Sequence, residues 1–195
     1  HTKNNMAAYA RALNEKNLPA QVTGGGELNG TPEIKWLLDC LRAVTRPLDP
    51  VSLVASLRSE LWGFSDADLL DYKRAGGKFD YRAALPDELV ATCREKYKVA
   101  FSAMQKIAAR LDGEFPPVVV VEKMLEELGL LIRGAARPGG MGNIGAMCRL
   151  IELLRDRQRE KCSAAELVNM LENIVDGAVN YDTIPPKPLK ESPVR

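Results

Sequence analysis

Residues 24–44, GGGELNGTPEIKWLLDCLRAV, carry the strongest structural signal in this sequence. Three glycines lead into a polar stretch, and Thr31-Pro32 then supplies a capping residue and a proline suited to a first helical turn. Apolar residues follow at helical spacing: Ile34, Leu37, Leu38 and Leu41. The pattern predicts an amphipathic helix that continues to 46–47 and buries one face against other elements.

Most of the remaining sequence also has helical spacing. Further helices are predicted over 4–16, from 49–50 to a close at 61–64, from 65 to 76–77, over 87–111, over 146–159, and from 163 to 176. Two of them begin at capping-box pairs, Ser65 with Asp68 and Ser163 with Glu166. In the helix over 87–111 the predicted inward residues are Leu89, Val90, Cys93, Tyr97, Ala100, Phe101, Met104 and Ile107.

Two segments are less regular. The four valines at 118–121 favour a strand locally, but Pro117 suits a first helical turn and 122–128 favour a helix, so we predict a helix ended by Gly129. The glycine-rich segment RGAARPGGMGNIG, residues 133–145, is predicted to be a loop. The fold class is therefore mainly α, with about seven helices and at most one or two short strands, one of them at 20–23.

Composition excludes several classes of function. The chain has 195 residues and a formal net charge of +1, without the strongly basic character of small autonomous DNA-binding modules. The single histidine is His1, so a mechanism that needs an internal histidine is excluded. The four cysteines form no CxxC pair and are expected to be reduced, as in a cytoplasmic protein. No apolar run approaches the ~20 residues of a membrane span.

The glycines at 24–26 do not match a nucleotide-binding loop. A P-loop requires G-x-x-x-x-G-K-[ST], and Gly25 and Gly30 have that separation, but Thr31 and Pro32 follow instead of lysine and a hydroxyl residue. A dinucleotide fingerprint fails because no βαβ pattern surrounds the glycines. We therefore expect this turn to connect secondary-structure elements without holding a nucleotide.

The order of these features resembles part of the UvrD/Rep superfamily-one DNA helicases. Their motif IV, R-T-N-x-Q-S-R before an amphipathic helix, is similar to HTKNNMAAYARAL at 1–13. Their following strand, glycine pair and E-I-K helix resemble PAQVTGGGELNGTPEIKWLL at 19–38, which contains Glu33-Ile34-Lys35. The family's motif IV arginine falls at His1, so its contact with the ATP γ-phosphate is missing here.

The later sequence resembles the accessory 2B subdomain of the exonuclease V beta subunit. The similar segments are LVASLRSELWGFSDADLL at 53–70 and GNIGAMCRLIELLRD at 142–156. The resemblance implies that 1–46 begin helicase domain 2A, 47–179 form a helical 2B subdomain, and 180–195 are a flexible tail that returns to domain 2A. The chain would then be an internal fragment of an ATP-dependent helicase or helicase–nuclease, which is a hydrolase.

The resemblance also implies where chemistry and binding would occur. No catalytic residue, cofactor or metal site is expected in this chain, and ATP and Mg²⁺ would be bound by the parent protein. The partners would be DNA at a single-strand/duplex junction, the remaining helicase domains, and subunits of an exonuclease V-like complex. The candidate DNA-binding residues are Thr2, Lys3, Gly24, Gly25, Lys35, Lys73, Arg74, Lys78, Arg133, Arg137 and Asn143.

Other interpretations remain open from the sequence. The segments KRAGGK, residues 73–78, and 133–145 are also compatible with ordinary solvated, glycine-containing loops. Trp62 and Phe64 have the chemistry to stack on a base, but the neighbouring leucines favour core packing. A rival function is a helical module that docks on partner subunits without contacting DNA, and the near-zero net charge favours it. An independent helical enzyme would require a pocket with converging polar groups.

Overall fold

The computed structural model describes residues 28–137, 140–156 and 161–176, and these residues form a helical structure. A 3₁₀ turn at Leu28–Gly30 precedes eight α-helices in the described ranges. They are α1 (Pro32–Thr45), α2 (Pro50–Arg58), α3 (Asp66–Arg74), α4 (Ala91–Arg110), α5 (Pro117–Glu127), α6 (Leu130–Ala136), α7 (Gly140–Asp156) and α8 (Ala164–Val175). The mainly α fold class is confirmed.

Helix α1 lies at the centre of the packing. It contacts α2, α4, α6, α7 and α8, and its predicted apolar stripe is completely buried. Trp36 and Cys40 are buried beside that stripe, so most of the helix circumference faces protein. A fully buried leucine or isoleucine contributes roughly 1.5–3 kcal/mol through burial, which makes α1 the principal organiser of the core.

Side-chain caps set the beginnings of α2, α3 and α8. Asp49 accepts a hydrogen bond from the Val51 backbone N–H at 3.0 Å, immediately before α2. Both predicted capping boxes form, with reciprocal bonds between Ser65 and Asp68 and between Ser163 and Glu166. These caps satisfy backbone donors that a helix leaves unpaired in its first turn.

An aromatic cluster joins α3 to α4. The rings of Tyr72 and Tyr97 stack with centroids 4.1 Å apart, Phe101 meets Tyr97 edge-on at 5.4 Å, and Phe64 lies 4.5 Å from Tyr97. Phe64 is buried and Trp62 is half-buried, so the predicted packing of this pair on the core is what the structure shows. Each such aromatic contact adds about 0.5–1.5 kcal/mol beyond area burial.

The valine-rich segment is helical, as predicted. In α5, Val118, Val120 and Val121 are buried with Met124 and Leu125, whereas Val119 is exposed. Gly129, in the left-handed conformation at φ 62°, separates α5 from α6. Packing of the apolar face on α6 and α7 outweighs the local strand preference of the valines.

The prediction of a loop at 133–145 is wrong for most of that segment. Residues 133–136 end α6 and residues 140–145 begin α7, so most of the segment is helical. Glycine is needed at 140 because a Cβ there would lie 2.3 Å from the Ala135 carbonyl oxygen, and a Cβ at Gly134 would lie 2.7 Å from the movable Met147 methyl group. Close helix contact, rather than loop flexibility, explains these glycines.

Smaller differences between the prediction and the structure concern the ends of the helices. Helix α4 begins at Ala91 instead of 87, and Val90 is 64% exposed instead of inward, because the buried Leu89 precedes the helix in a turn. Helix α2 ends at Arg58, and a turn with hydrogen bonds from Trp62 and Gly63 to the Ser59 carbonyl follows it. In the described residues, β-structure is limited to one antiparallel bridge between Phe115 and Cys162.

Several predictions lie outside the described residues: the helix over 4–16, the strand at 20–23 and the tail at 180–195. The division of the chain at residue 46 also stays a prediction, although α1, which precedes it, packs directly on α2 and α8, which follow it. Arg42 on α1 donates to Glu172 on α8 at 2.8 Å, which adds an ion pair to that contact.

In the described ranges, we find no helix with the length and apolar character of a membrane span.

Candidate nucleic-acid interface

The KRAGGK segment forms a turn anchored to a buried tyrosine. Helix α3 ends at Arg74, and Gly76 adopts a left-handed φ of 83°. The Gly77 N–H donates to the Tyr72 carbonyl at 2.9 Å, and the Tyr72 hydroxyl donates to the Lys78 carbonyl at 2.8 Å. A Cβ at Gly77 would lie 2.5 Å from the Tyr72 ring, so only glycine fits there. The turn is therefore held in one conformation.

The three cations of this turn are exposed to solvent. Lys73, Arg74 and Lys78 are all solvent-exposed, and none forms an ion pair with a described residue. Arg74, Gly76 and Lys78 line a cleft of ≈ 600 Å³. Asp87 and Glu88 also line it, and the Asp87 carboxylate lies 3.4 Å from the Arg94 guanidinium. The cleft thus combines the cations of the turn with two carboxylates.

The second pair of candidate arginines is engaged with protein. The Arg137 guanidinium donates to both carboxylate oxygens of Glu60, and Arg133 donates to the Glu60 backbone carbonyl at 3.1 Å. The hydrogen bond from Arg137 to Glu60 raises the pKa of Arg137, so this group keeps its charge. The Arg137 guanidinium carbon also lies 5.0 Å from the Trp36 ring centroid, within cation–π range.

Glu33, the glutamate of the E-I-K signature, lies beside this cluster. Its side chain is completely buried, and neither carboxylate oxygen accepts a hydrogen bond within the part of the chain that the structure describes. The nearest cation is Arg137, whose Nε lies 3.9 Å from Glu33 Oε1. Its position in the first turn of α1 also places the carboxylate near the positive end of the helix dipole.

The other candidates are scattered. Lys35 is exposed on α1, and Asn143 is half-buried on α7, where its Cβ lies 3.6 Å from the position that a Cβ at Gly134 would take. Thr2, Lys3, Gly24 and Gly25 lie outside the described residues. Glu60 was not recognised from the sequence as part of this surface, because its contacts with Arg133 and Arg137 span more than 70 positions.

The remaining titratable groups of the described residues have structural contacts. No group of three or more potential metal-ligating side chains occurs in the described ranges. Burial raises the pKa of the Cys40 thiol to about 12, which keeps it in the unreactive protonated form. The Asp68 carboxylate has a lowered pKa because Lys96 and the Ser65 backbone donate to it, and this pairing is structural.

Comparison with known proteins relates the chain to one class of enzyme. It is 26% identical over 166 residues to an ATP-dependent helicase/nuclease subunit from Leuconostoc mesenteroides, which covers 85% of the chain and 13% of that protein. It is 46% identical over 50 residues to the protein of the same name from Streptococcus agalactiae, covering 25% of the chain and 4% of that relative. The chain therefore spans only a small part of these relatives. No family model and no solved structure matches it.

Proposed function

We propose that this chain is a DNA-contacting accessory part of an ATP-dependent DNA helicase or helicase–nuclease, corresponding to the 2B subdomain of a UvrD/Rep-type, exonuclease V beta-like motor. The single observation that carries the proposal is the rigid turn with three exposed cations that form no ion pair with a described residue: Lys73, Arg74 and Lys78. The resemblance of the sequence and the names of its relatives support the same assignment.

The geometry of the turn suits phosphate contact. Lysine and arginine side chains at a fixed turn position a nucleic-acid backbone without reading its sequence. Gly76 is exposed in this turn and carries no side chain, so a phosphate group can approach the three cations without obstruction at that position. The role would be to hold duplex DNA beside the motor during unwinding, recombination or repair.

The ATPase and nuclease chemistry would belong to the rest of the parent protein. The sequence contains no P-loop signature, and its described acidic residues form no metal-binding cluster. ATP and Mg²⁺ would therefore be bound by other domains, with which this part would communicate mechanically.

The proposal is tested by titrating a forked DNA duplex with the 195-residue chain over a range of salt concentrations. We expect binding at about 50 mM salt that weakens steeply as salt increases, because each phosphate contact releases counterions. The triple variant Lys73→Ala, Arg74→Ala, Lys78→Ala should bind weakly, with a slope of log affinity against log salt smaller by about 2–3.

The matched control removes three cations that are already paired elsewhere: Arg58→Ala, Lys98→Ala and Lys123→Ala. It has the same net charge as the test variant and should keep most of the affinity. An absence of binding at about 50 mM salt, or equal losses in the two triple variants, would contradict site-specific phosphate contact.

A further inference from the structure

A groove runs along the solvent-facing side of α4. Two adjoining cavities of ≈ 410 and ≈ 630 Å³ share Val99, Ala103, Glu127 and Leu128 as lining residues. We call this feature the α4 groove: α4 forms one wall, and the end of α5 with the turn at 61–64 forms the other. The shared residues make the two cavities parts of one continuous surface.

The wall formed by α4 has the spacing of a helix-packing seam. Lys96, Val99, Ala103, Lys106 and Arg110 follow one another at alternating steps of three and four residues. This heptad spacing keeps them on one side of the helix over about 21 Å, at about 1.5 Å per residue. Val99 is 59% exposed, and the small Ser102 and Ala103 leave room for a second helix to approach closely.

The groove is predominantly basic. Lys96, Lys106, Arg110 and Arg133 line it, and Glu127 is the one carboxylate among the lining residues of the two cavities. Arg110 forms a bidentate ion pair with Glu127, at 2.6 and 2.5 Å, and Lys96 pairs with Asp68 at 2.9 Å, so these two cations are already neutralised. Lys106 has no ion pair within the described residues, and Arg133 contacts only a backbone carbonyl there. Charge complementarity therefore favours a negatively charged occupant.

The residues that line the α4 groove favour a partner helix over single-stranded DNA as its occupant. Base stacking requires an open aromatic face. Phe64 is buried, and the Lys96 ammonium lies 4.5 Å from its ring centroid. Trp62 is half-buried, with its indole N–H donating to the Ser56 hydroxyl at 3.2 Å. Val99 and Ala103, at heptad spacing on α4, together with Leu128 instead offer an apolar strip that can receive the apolar stripe of a partner helix.

We propose that the α4 groove is a docking site for an acidic amphipathic helix of a partner protein. Leucine-type side chains of the partner would pack on Val99, Ala103 and Leu128, while flanking carboxylates would pair with Lys106 and Arg133. The site is distinct from the basic turn at 73–78, so the inference does not depend on DNA contact there.

The probe is a synthetic three-heptad peptide with leucine at its a and d positions and glutamate at its e and g positions, labelled for fluorescence anisotropy. A second peptide with lysine in place of each glutamate is the charge-reversed control. We expect the acidic peptide to bind, with affinity falling as salt increases, and the basic peptide to bind at least about tenfold more weakly.

Two valine variants locate the binding. Val99→Glu introduces a carboxylate inside the groove and should weaken acidic-peptide binding at least about tenfold. Val119→Glu makes the same change at an exposed valine of α5 that does not line the groove, and it should leave affinity within about twofold. Both positions are solvent-exposed, so neither change should prevent folding.

Four outcomes would overturn the inference: no binding of the acidic peptide, equal binding of both peptides, equal losses in the two valine variants, or displacement of the bound peptide from the groove by an oligothymidylate. The last would identify the groove as a nucleic-acid surface. The Lys73/Arg74/Lys78 variant should bind the peptide normally, and Val99→Glu should bind the forked duplex normally. A negative result for peptide binding in the groove can therefore be distinguished from a negative result for DNA binding at the turn.

Discussion

The Nε atom of Arg137 lies 3.9 Å from the completely buried Oε1 of Glu33, and this pair connects the end of α6 to the beginning of α1. The same guanidinium covers Trp36 and pairs with Glu60, so one side chain contacts three groups on two other segments. A buried carboxylate without hydrogen bonds is costly, and Arg137 is the group that compensates it in the described residues. Its principal role in this structure is to hold the α6–α7 hairpin on α1.

We expect Arg137→Ala to lower the free energy of unfolding by about 1–3 kcal/mol, because it leaves the Glu33 carboxylate buried without a nearby cation. Replacing Glu33 with glutamine in the same chain should recover part of that loss, since a neutral amide tolerates burial better than a charge. Urea denaturation of the two single variants and the double variant measures the coupling. Strictly additive effects would show that the two side chains do not interact.

Two tyrosines in the aromatic cluster should respond oppositely to loss of the hydroxyl group. The Tyr97 hydroxyl has no hydrogen-bond partner among the described residues, whereas the Tyr72 hydroxyl donates to the Lys78 carbonyl. Tyr97→Phe should therefore leave the free energy of unfolding unchanged or raise it by up to about 1 kcal/mol, and Tyr72→Phe should lower it by about 1 kcal/mol. Thermal unfolding of both variants shows which substitution destabilises the protein more. A greater loss of stability for Tyr97→Phe than for Tyr72→Phe would contradict the prediction.

Asp68 should make stability depend on pH. Lys96 and the Ser65 N–H hold the pKa of this carboxyl below its ordinary value of 3.8. Its stabilising effect is therefore present above that value and is lost as pH falls through the lower pKa of the folded state. Asp68→Asn should lower the melting temperature at neutral pH and flatten its decline in acid. Asp66→Asn, at the exposed neighbouring position, is the control and should leave that decline intact.

Two glycines that contact side chains should differ in their tolerance of alanine. A Cβ at Gly77 would lie 2.5–2.6 Å from three atoms of the rigid, buried Tyr72 ring. At Gly134 the close contact is the terminal methyl group of Met147, which is able to rotate away. Gly77→Ala should therefore cost about 1–3 kcal/mol in the free energy of unfolding, and Gly134→Ala should cost less. Chemical denaturation measures both, and the reverse order would be inconsistent with this packing.

The predictable features were those set by neighbouring residues. The capping boxes at Ser65 and Ser163 depend on a partner three positions away, and the burial of Ile34 and Leu37 follows from their spacing on one helix. Even the valines of α5 could be assigned to a helix, because Pro117 and the residues after the valines give local signals.

Gly134 and Gly140 could not be interpreted in this way. Glycine marks both a flexible loop and a close approach of two helices, and only the positions of Met147 and Ala135 distinguish the two. The contacts of Glu60 with Arg133 and Arg137 likewise depend on where the turn after α2 meets the end of α6.

The sequence by itself determined that this protein is helical, where most of its helices lie, and which loops carry clustered cations, because these properties depend on residue type and spacing along the chain. Only the tertiary structure decided which of those cations are available. It leaves Lys73, Arg74 and Lys78 exposed to solvent without an ion pair among the described residues, and it engages Arg137 with Glu33, Glu60 and Trp36. Ion pairing between distant segments is a property of packing, and packing brings together residues whose separation along the chain carries no signal.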